Sequence, residues 1–274
     1  MEEIPKVIHY CWFGRGLMPA SQRQYIDSWR KVMPEYQIKC WNEDNFNINR
    51  YNFASQAYKK KLYSFVTDVV RFYALYTEGG IYMDTDVKVF KSYDEFLFHD
   101  VFSGIQIYQE QFFEGKYLLD KNGLPFNKDE IFTEGLGFNA AVIGAKKGNK
   151  FIKECLDFFT KKDFILADGT LYNKIINPAI MAHLALKYGF RYINIKQEFS
   201  SNIIVYQSNI FACSELDMDE SSYSMHYSAQ SWVPKTKDEL YLIKLDKLNL
   251  LVTYYKYIVI KRKIKKAVKK LLQK

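Results

Sequence analysis

Residues 67–86 read TDVVRFYALYTEGGIYMDTD, and this stretch decides the fold prediction. Its apolar side chains recur at helical spacing as far as residue 77, and the Gly79-Gly80 pair ends the helix. A short apolar strand follows and runs directly into Asp84-Thr85-Asp86. A helix that leads through two glycines into a buried strand is typical of layered α/β domains.

The same alternation of strands and helices extends outward through the 274 residues. Strands are predicted over 6–13, 36–41, 81–83, 87–90, 101–108, 138–144, 191–195 and 203–206, and helices over 21–33, 54–61, 63–77, 150–160 and 171–188. Residues 109–135 are expected to form an excursion from the layers. We predict one α/β domain over 1–240, followed by a basic helix over 241–274.

Two pairs of charged residues stand out within the opening stretch. Asp68 and Arg71 lie three residues apart on one helix, so they share a face, and an ordinary helical ion pair is the simplest interpretation. Asp84 and Asp86 point to the same side of an extended segment, where two carboxylates repel each other unless a cation lies between them. A hard divalent ion suits such oxygen ligands, although a solvated acidic turn is the alternative.

Two other chemistries that use paired aspartates fit less well. A calcium loop of the EF-hand type requires a third Asp or Asn and then Gly, whereas Lys88 and Val89 follow here. A phosphatase with an aspartyl nucleophile requires a small hydroxyl residue at position 88, and the lysine there disfavours that class.

Composition and charge indicate the cellular compartment of the protein. The four cysteines form no CxxC pair, so neither a disulfide framework nor a zinc site is expected, and a reducing cytoplasm is the simplest compartment. We expect no signal peptide, and the apolar run over 248–260 is too short to span a membrane. The net charge of +8 is concentrated in residues 256–274, which contain nine Lys or Arg and no acid.

The basic tail over 254–274 has apolar positions at helical spacing with lysines between them. Such a helix is typical of one that lies on an anionic membrane surface, which predicts a peripheral location at the inner face of the cell membrane. Nucleic-acid binding and a solvated helix packed on the domain are the alternatives. The nearly neutral remainder argues against a nucleic-acid binder.

The block Asp68-x-x-Arg71, Leu75-Tyr76 and Gly79 to Asp86 resembles the DxD region of family 32 glycosyltransferases. These include bacterial capsule and lipopolysaccharide sugar transferases, with the glucosyltransferase domains of clostridial toxins as distant relatives. The resemblance extends over residues 4–235, with weak matches over 105–135 and 160–220. It is carried further by the opening strand 4–14, Trp41-Asn42, Gly137-Phe138-Asn139, His226-x-Ser228 and Ser231-Trp232.

The resemblance implies a GT-A fold, which is a Rossmann-like mixed sheet flanked by helices, and a Mn²⁺ or Mg²⁺ ion with a nucleotide-sugar donor. The implied catalytic residues are Asp68, Arg71, Asp84 and Asp86. The implied metal ligands are Asp84, Asp86 and His226. The residues implied to bind the nucleotide-sugar are Trp12, Asp68, Arg71, Tyr82, Asp84, Asn139, Ser228 and Trp232. Trp12 would stack on the base, Asp68 and Arg71 would hold sugar hydroxyls, and Trp232 would cover the diphosphate.

The resemblance also implies retention of the anomeric configuration and a saccharide acceptor in surface polysaccharide synthesis, either free or lipid-linked. UDP-hexose or UDP-N-acetylhexosamine is the favoured donor, and GDP-mannose stays open. A covalent intermediate requires a carboxylate on the far face of the sugar, and no residue, Glu134 included, is assigned to it. A same-face displacement needs none. A non-catalytic carbohydrate- or nucleotide-binding relative is the alternative function.

Overall fold

The computed structural model describes residues 3–172, 175–199, 202–212 and 217–227, all within one compact unit. The strands are β1 (Val7–Cys11), β2 (Gln37–Trp41), β3 (Gly80–Met83), β4 (Val87–Val89), β5 (Val101–Ile107), β6 (Leu136–Ala145), β7 (Gln197–Phe199), β8 (Ile203–Tyr206), β9 (Phe211–Ala212) and β10 (Ser224–His226). The α-helices are α1 (Ala20–Val32), α2 (Asn52–Lys59), α3 (Tyr63–Glu78), α4 (Gln109–Gly115), α5 (Lys150–Thr160) and α6 (Asn177–Ala185).

Seven strands form a mixed central sheet in the order β2-β1-β3-β6-β5-β8-β7. Strands β2, β1 and β3 are parallel, and β6 is antiparallel to both of its neighbours, β3 and β5. Strand β8 pairs with β5 in parallel and with β7 in antiparallel fashion. A second sheet has the order β4-β10-β9. The carboxyl ends of β1, β3 and β5 therefore meet the beginning of β6 at one edge.

Apolar cores lie on both faces of the central sheet. One contains Val69 and Phe72 of α3, together with buried side chains of α2, α5 and α6. The other joins Ile8 and Ile81 of the sheet to Trp29 of α1 and to Val87 of the small sheet. This layered, helix-flanked mixed sheet confirms the predicted α/β fold class of the GT-A type.

The turn from α3 to β3 depends on its two glycines. Gly79 ends the helix at φ +70°, and a Cβ atom there would lie 2.7 Å from the backbone nitrogen of Lys147. Gly80 has φ +106°, and a Cβ atom there would lie 2.5 Å from the carbonyl oxygen of Val7 on the adjacent strand. The glycines thus allow the chain to reverse within one residue and bring β3 beside β1.

Two predictions about secondary structure are wrong. The helix predicted over 171–188 is α6 alone, which begins immediately before Pro178 because proline is tolerated only in the first turn of a helix. Residues 191–195 form tight turns instead of a strand, with the Gln197 side chain bonded to both backbone groups of Arg191. The predicted excursion over 109–135 contains the short helix α4.

Some predictions fall on residues that the structure does not describe. They concern the helix over 241–274, the boundary at residue 240, and Ser228, Ser231 and Trp232, all of which lie outside the described residues. Within the described part of the chain, no helix is long and apolar enough to cross a membrane.

Candidate active site

Strand β3 ends in the DxD segment, which links the two sheets. The backbone nitrogen of Asp84 donates to the carbonyl oxygen of Ala141 on β6 at 2.9 Å, and Val87 closes the turn by donating to the carbonyl oxygen of Asp84 at 3.1 Å. Asp86 comes directly before β4. Because the segment is tied at both ends, its two carboxylates have defined positions beyond the central sheet.

His226 reaches the same place from strand β10. This strand is antiparallel to β4 with His226 opposite Val87, so the imidazole lies beside the DxD segment. Its Nε2 atom is 3.2 Å from Asp86 Oδ1 and 3.9 Å from Asp84 Oδ2. The three side chains are half-buried, and one ligand atom from each lies within 4.8 Å of the others. The structure thus brings together the three predicted metal ligands, while metal binding itself stays a prediction.

The donor set fits a divalent cation. Two carboxylate oxygens and an imidazole nitrogen converge. Mg²⁺ and Mn²⁺ prefer one or two carboxylate ligands and fill their remaining coordination positions with phosphate or water. The Oη atom of Tyr82 donates to Asp84 Oδ1 at 2.6 Å, which leaves Oδ2 of that carboxylate directed toward His226. Carboxylates that bind metal ions are commonly held in place by a hydrogen bond of this kind, here from Tyr82.

Asp68 and Arg71 form a second cluster on the α3 side of the sheet. Arg71 is 6% exposed, its Nη1 atom donates to the carbonyl oxygen of Ala140 at 2.6 Å, and its Nη2 atom donates to Asp68 Oδ1 at 2.9 Å. The guanidinium also lies 4.7 Å from the centre of the Tyr82 ring, and Nη2 is 3.7 Å from Asp84 Oδ1. Arg71 therefore connects the two clusters into one polar site.

Burial raises the pKa of Asp68 to about 6, and the nearby Asp84 acts in the same direction. The positive charge of Arg71 and a hydrogen bond from Asn177 oppose that rise in pKa. The Asp68 carboxyl group therefore changes charge close to neutral pH, unlike an exposed aspartate. Burial likewise raises the pKa of the Tyr82 phenol well above its ordinary value, so Tyr82 remains a hydrogen-bond donor.

Trp12 lies at the carboxyl end of β1, one residue beyond the strand. Its backbone nitrogen donates to the carbonyl oxygen of Trp41 at 2.9 Å, and its indole Nε1 donates to the carbonyl oxygen of Gly16 at 2.6 Å. The ring is partly exposed on the same edge of the sheet as the DxD segment. Stacking on a nucleotide base is compatible with this position and stays a prediction.

Asn139 has a different environment from the other predicted site residues. It is fully buried on β6, its Nδ2 atom donates to the carbonyl oxygen of Phe211 at 2.6 Å, and its Oδ1 atom accepts from the Ala141 backbone at 3.0 Å. The side chain therefore joins β6 to β9. It also supports Ala141, whose carbonyl oxygen accepts the hydrogen bond from the Asp84 backbone. Contact with the donor sugar or the acceptor stays a prediction that this packing does not favour.

Asn177 is a site residue that the sequence analysis did not single out. It is the first residue of α6, is 3% exposed, and donates from Nδ2 to Asp68 Oδ1 at 2.7 Å. The only signal in the sequence is an Asn directly before Pro178, which marks the start of a helix but says nothing of the distant Asp68. Only the fold, with α6 packed against β6, brings the two together.

The family comparison matches residues 19–103 to the model described as "Glycosyltransferase sugar-binding region containing DXD motif". That range contains both carboxylates of the DxD segment and the Asp68–Arg71 pair. Over these residues the match agrees with the predicted class of enzyme, a glycosyltransferase. The finer assignment to family 32 stays a prediction.

Two curated relatives illustrate the match. An uncharacterized glycosyltransferase of Acanthamoeba polyphaga mimivirus is 30% identical over 100 residues, covering 34% of this chain and 40% of the relative. Inositol phosphoceramide mannosyltransferase 1 of Schizosaccharomyces pombe is 29% identical over 106 residues, covering 35% of this chain and 32% of the relative. The match thus covers less than half the length of each of these relatives.

Among solved structures, the glycosyltransferase PaToxG is 17% identical with a TM-score of 0.45, covering 68% of this chain and 70% of that one. A galactosyltransferase in complex with donor and acceptor sugar analogues is 14% identical with a TM-score of 0.42, covering 85% and 91%. Neither TM-score is high enough to support a conclusion about this chain.

Proposed function

We propose that this protein is a metal-dependent, retaining glycosyltransferase that moves a hexose or N-acetylhexosamine from a nucleotide-sugar to a saccharide acceptor. The observation that carries the proposal is the convergence of Asp84, Asp86 and His226 at the end of β3. Beside them, Arg71 joins this cluster to Asp68. Asp84, Asp86 and His226 would hold a Mn²⁺ or Mg²⁺ ion, which supplies positive charge to the diphosphate when bound.

The second cluster supports a role in holding the donor sugar. Arg71 presents a fixed fork of donors, since one Nη atom is bonded to the β6 backbone and the other to Asp68. Two buried atoms beside Asp68, Arg71 Nε and Asn177 Oδ1, have no hydrogen-bond partner among the described residues. A buried polar atom without a partner costs on the order of 1–3 kcal/mol, and a bound sugar hydroxyl or a water molecule would offset that cost.

We infer that catalysis depends on electrostatic stabilisation more than on proton transfer. A glycosidic bond to a diphosphate breaks with negative charge developing on the phosphate oxygens, and fixed positive groups lower that barrier. Arg71 is fixed 3.7 Å from Asp84, between the proposed sugar position and the metal ligands. A covalent intermediate requires a carboxylate on the far face of the sugar, to which no residue is assigned, whereas displacement on one face requires none.

The test of this function is a screen of nucleotide-sugars for hydrolysis with and without Mn²⁺. UDP-glucose, UDP-galactose and UDP-N-acetylhexosamines are the first candidates. GDP-mannose belongs in the screen because two of the matched relatives are named mannosyltransferases. We expect release of the nucleoside diphosphate from one of these donors only when the ion is present. A protein that binds nucleotide-sugars but hydrolyses none of them would instead be a non-catalytic relative.

We further propose that the acceptor belongs to a surface polysaccharide, such as a capsule, exopolysaccharide or O-antigen. In this proposal the basic tail over 241–274 holds the enzyme at the inner face of the cell membrane, near a lipid-linked acceptor. Each basic residue close to an anionic leaflet contributes on the order of 1 kcal/mol to binding. Residues 256–274 of this tail contain nine Lys or Arg and no acid.

Deletion of residues 256–274 should release the protein from vesicles of phosphatidylserine and phosphatidylcholine without reducing donor hydrolysis. The measurement is co-sedimentation at about 0.05 M and about 0.5 M salt, since ionic attraction is screened at the higher concentration. Full-length protein that ignores these vesicles at low salt would contradict the membrane role. Loss of cooperative thermal unfolding in the deletion variant would show that the tail belongs to the folded domain.

A further inference from the structure

A cavity of about 270 Å³ opens at the carboxyl end of β5 and the beginning of β6. Its lining includes Gln106, Tyr108, Glu134, Gly137 and Pro178. Pockets for drug-sized ligands are usually about 300–1,000 Å³, so this cavity suits a smaller molecule, on the scale of a monosaccharide.

The cavity lies beside the proposed donor-sugar position. Arg71 Nη1 is bonded to the carbonyl oxygen of Ala140, and Gly137 lies three residues earlier on the same extended strand, which is roughly 10 Å away. Asn177 makes a second connection, since its side chain is bonded to Asp68 while the adjacent Pro178 lines the cavity. The cavity and the Asp68–Arg71 cluster are therefore neighbours along both β6 and α6.

The order of the strands places the cavity on one side of the proposed donor site. Trp12 follows β1, the DxD segment follows β3, and the cavity lies at β6 and β5, in the same order as these strands occur across the sheet. If the nucleotide lies toward Trp12, the reacting sugar faces β6, and an acceptor has to approach from the β5 side. This step rests on the proposed function.

The chemistry of the lining favours a neutral, hydroxyl-rich ligand. Among the described residues that line the cavity, Glu134 is the only charged side chain, and Gln106, Tyr108, Gln111 and Thr133 add amide and hydroxyl groups. A carboxylate repels the phosphates of a nucleotide but accepts hydrogen bonds from sugar hydroxyls. Tyr108 is 40% exposed, and its phenol accepts a hydrogen bond from Gln106 Nε2 at 2.8 Å.

We propose that this cavity binds the terminal sugar ring of the acceptor and that Glu134 accepts hydrogen bonds from its hydroxyls. The position of Glu134 depends on Gly115, the last residue of α4. A Cβ atom at Gly115 would lie 2.1 Å from the Cβ and 2.4 Å from the Cγ of Glu134, so only glycine allows the glutamate its observed position. The proposal thus assigns Glu134 to binding of the acceptor.

The test measures binding of three neutral probes, methyl α-D-mannoside, methyl β-D-galactoside and methyl β-D-glucoside, to the full chain by saturation-transfer NMR. We expect at least one probe to bind the wild type, and Glu134→Gln to weaken that binding about tenfold through loss of a charged acceptor. Asp129→Asn, which neutralises an exposed carboxylate of the same segment outside the cavity, is the matched control and should bind like the wild type.

Gly115→Ala provides an independent variant, since it displaces Glu134 without changing the chemistry of the lining, and it should weaken binding in the same direction. Metal-dependent donor hydrolysis is measured alongside and should be unchanged in Asp129→Asn and Gly115→Ala, whose residues do not line the cavity. Absence of binding by every probe to the wild type, or equal binding by Glu134→Gln and the wild type, would overturn the acceptor cavity. If the wild type hydrolyses no nucleotide-sugar in the presence of the metal ion, that result would contradict the proposed function and not the acceptor cavity.

Discussion

Asp68 and Asp86 are both half-buried aspartates of the candidate site, but their surroundings differ. Asp68 lies against the guanidinium of Arg71 and the amide of Asn177. Asp86 lies with a second carboxylate, Asp84, and the imidazole of His226. The fold itself supplies positive charge and donors to the first aspartate, whereas it concentrates negative charge around the second. The same residue type is therefore suited to positioning in one cluster and to cation binding in the other.

The largest effect is expected for Asp86→Asn. This change removes one of two converging carboxylates and keeps the size of the side chain, so the proposed cation site loses a charged ligand. We expect metal-dependent donor hydrolysis to fall by at least about 100-fold, as when a group that stabilises developing charge is removed from an active site. Steady-state hydrolysis at saturating Mn²⁺ is the measurement. Near-normal turnover in a folded Asp86→Asn protein would place the metal elsewhere.

Arg71→Ala should affect the sugar more than the nucleotide. The guanidinium is bonded to Ala140 and Asp68 on the side proposed for the sugar, so its loss should lower hydrolysis about 10- to 100-fold. Binding of the bare nucleoside diphosphate, measured by calorimetry, should change little. Arg71→Lys retains the positive charge but lacks the fork of donors, and it replaces the alanine variant in these measurements if that variant is unstable. Equal loss of affinity for both ligands would assign Arg71 a purely structural role.

The pH dependence of hydrolysis should report the charge of Asp68. Its pKa is raised from 3.8 to about 6, and the ionised form accepts the hydrogen bonds of the site. Hydrolysis should therefore increase with pH with an apparent midpoint near 6. The effect on stability has the opposite sign, because the stabilising contribution of the protonated form is present below the unfolded pKa and is lost as pH rises through 6.

Asp68→Asn is the matched variant for this pH dependence. Its hydrolysis should be lower throughout and flat between about pH 5 and about pH 7, since the titrating group is absent. A pH profile that keeps the same midpoint in Asp68→Asn would assign the titration to another group.

The smallest effect is expected for Asn177→Ala. Removal of one neutral donor to Asp68 should lower hydrolysis about fivefold, since such a hydrogen bond contributes on the order of 1 kcal/mol. The hydrogen bond from Asn177 lowers the pKa of Asp68, so the midpoint of the pH profile should also move upward in this variant. The profile is measured beside that of the wild type. An unchanged midpoint would show that Asn177 does not act through Asp68.

The sequence predicts the parts of the site that are close together in the chain. The Gly79-Gly80 pair and the DxD segment fix the α3–β3 unit, because helical periodicity and glycine conformation are local properties. The position of His226 followed from resemblance, and its approach to Asp86 depends on the pairing of β10 with β4, which joins residues far apart in sequence.

Contacts between distant elements were beyond the reach of local patterns. Asn177 reaches Asp68 only because α6 packs against β6, and no periodicity encodes that contact. Asn139 shows the converse limit, because the Gly137-Phe138-Asn139 stretch resembles a site motif while the folded side chain bonds to Phe211 and Ala141 within the core. The error over 171–188 has a local origin, since the apolar residues before Pro178 extend the helical pattern upstream of the point at which α6 begins.

The central claim is that Asp84, Asp86 and His226 bind one divalent cation together with the donor diphosphate. The most direct measurement is a crystal structure with UDP and Mn²⁺, recorded at the manganese absorption edge. The account predicts a single anomalous peak between these three side chains and the phosphates, and its disappearance in crystals of Asp86→Asn. A well-defined nucleotide with the anomalous peak at another position, or with no peak at all, would contradict it.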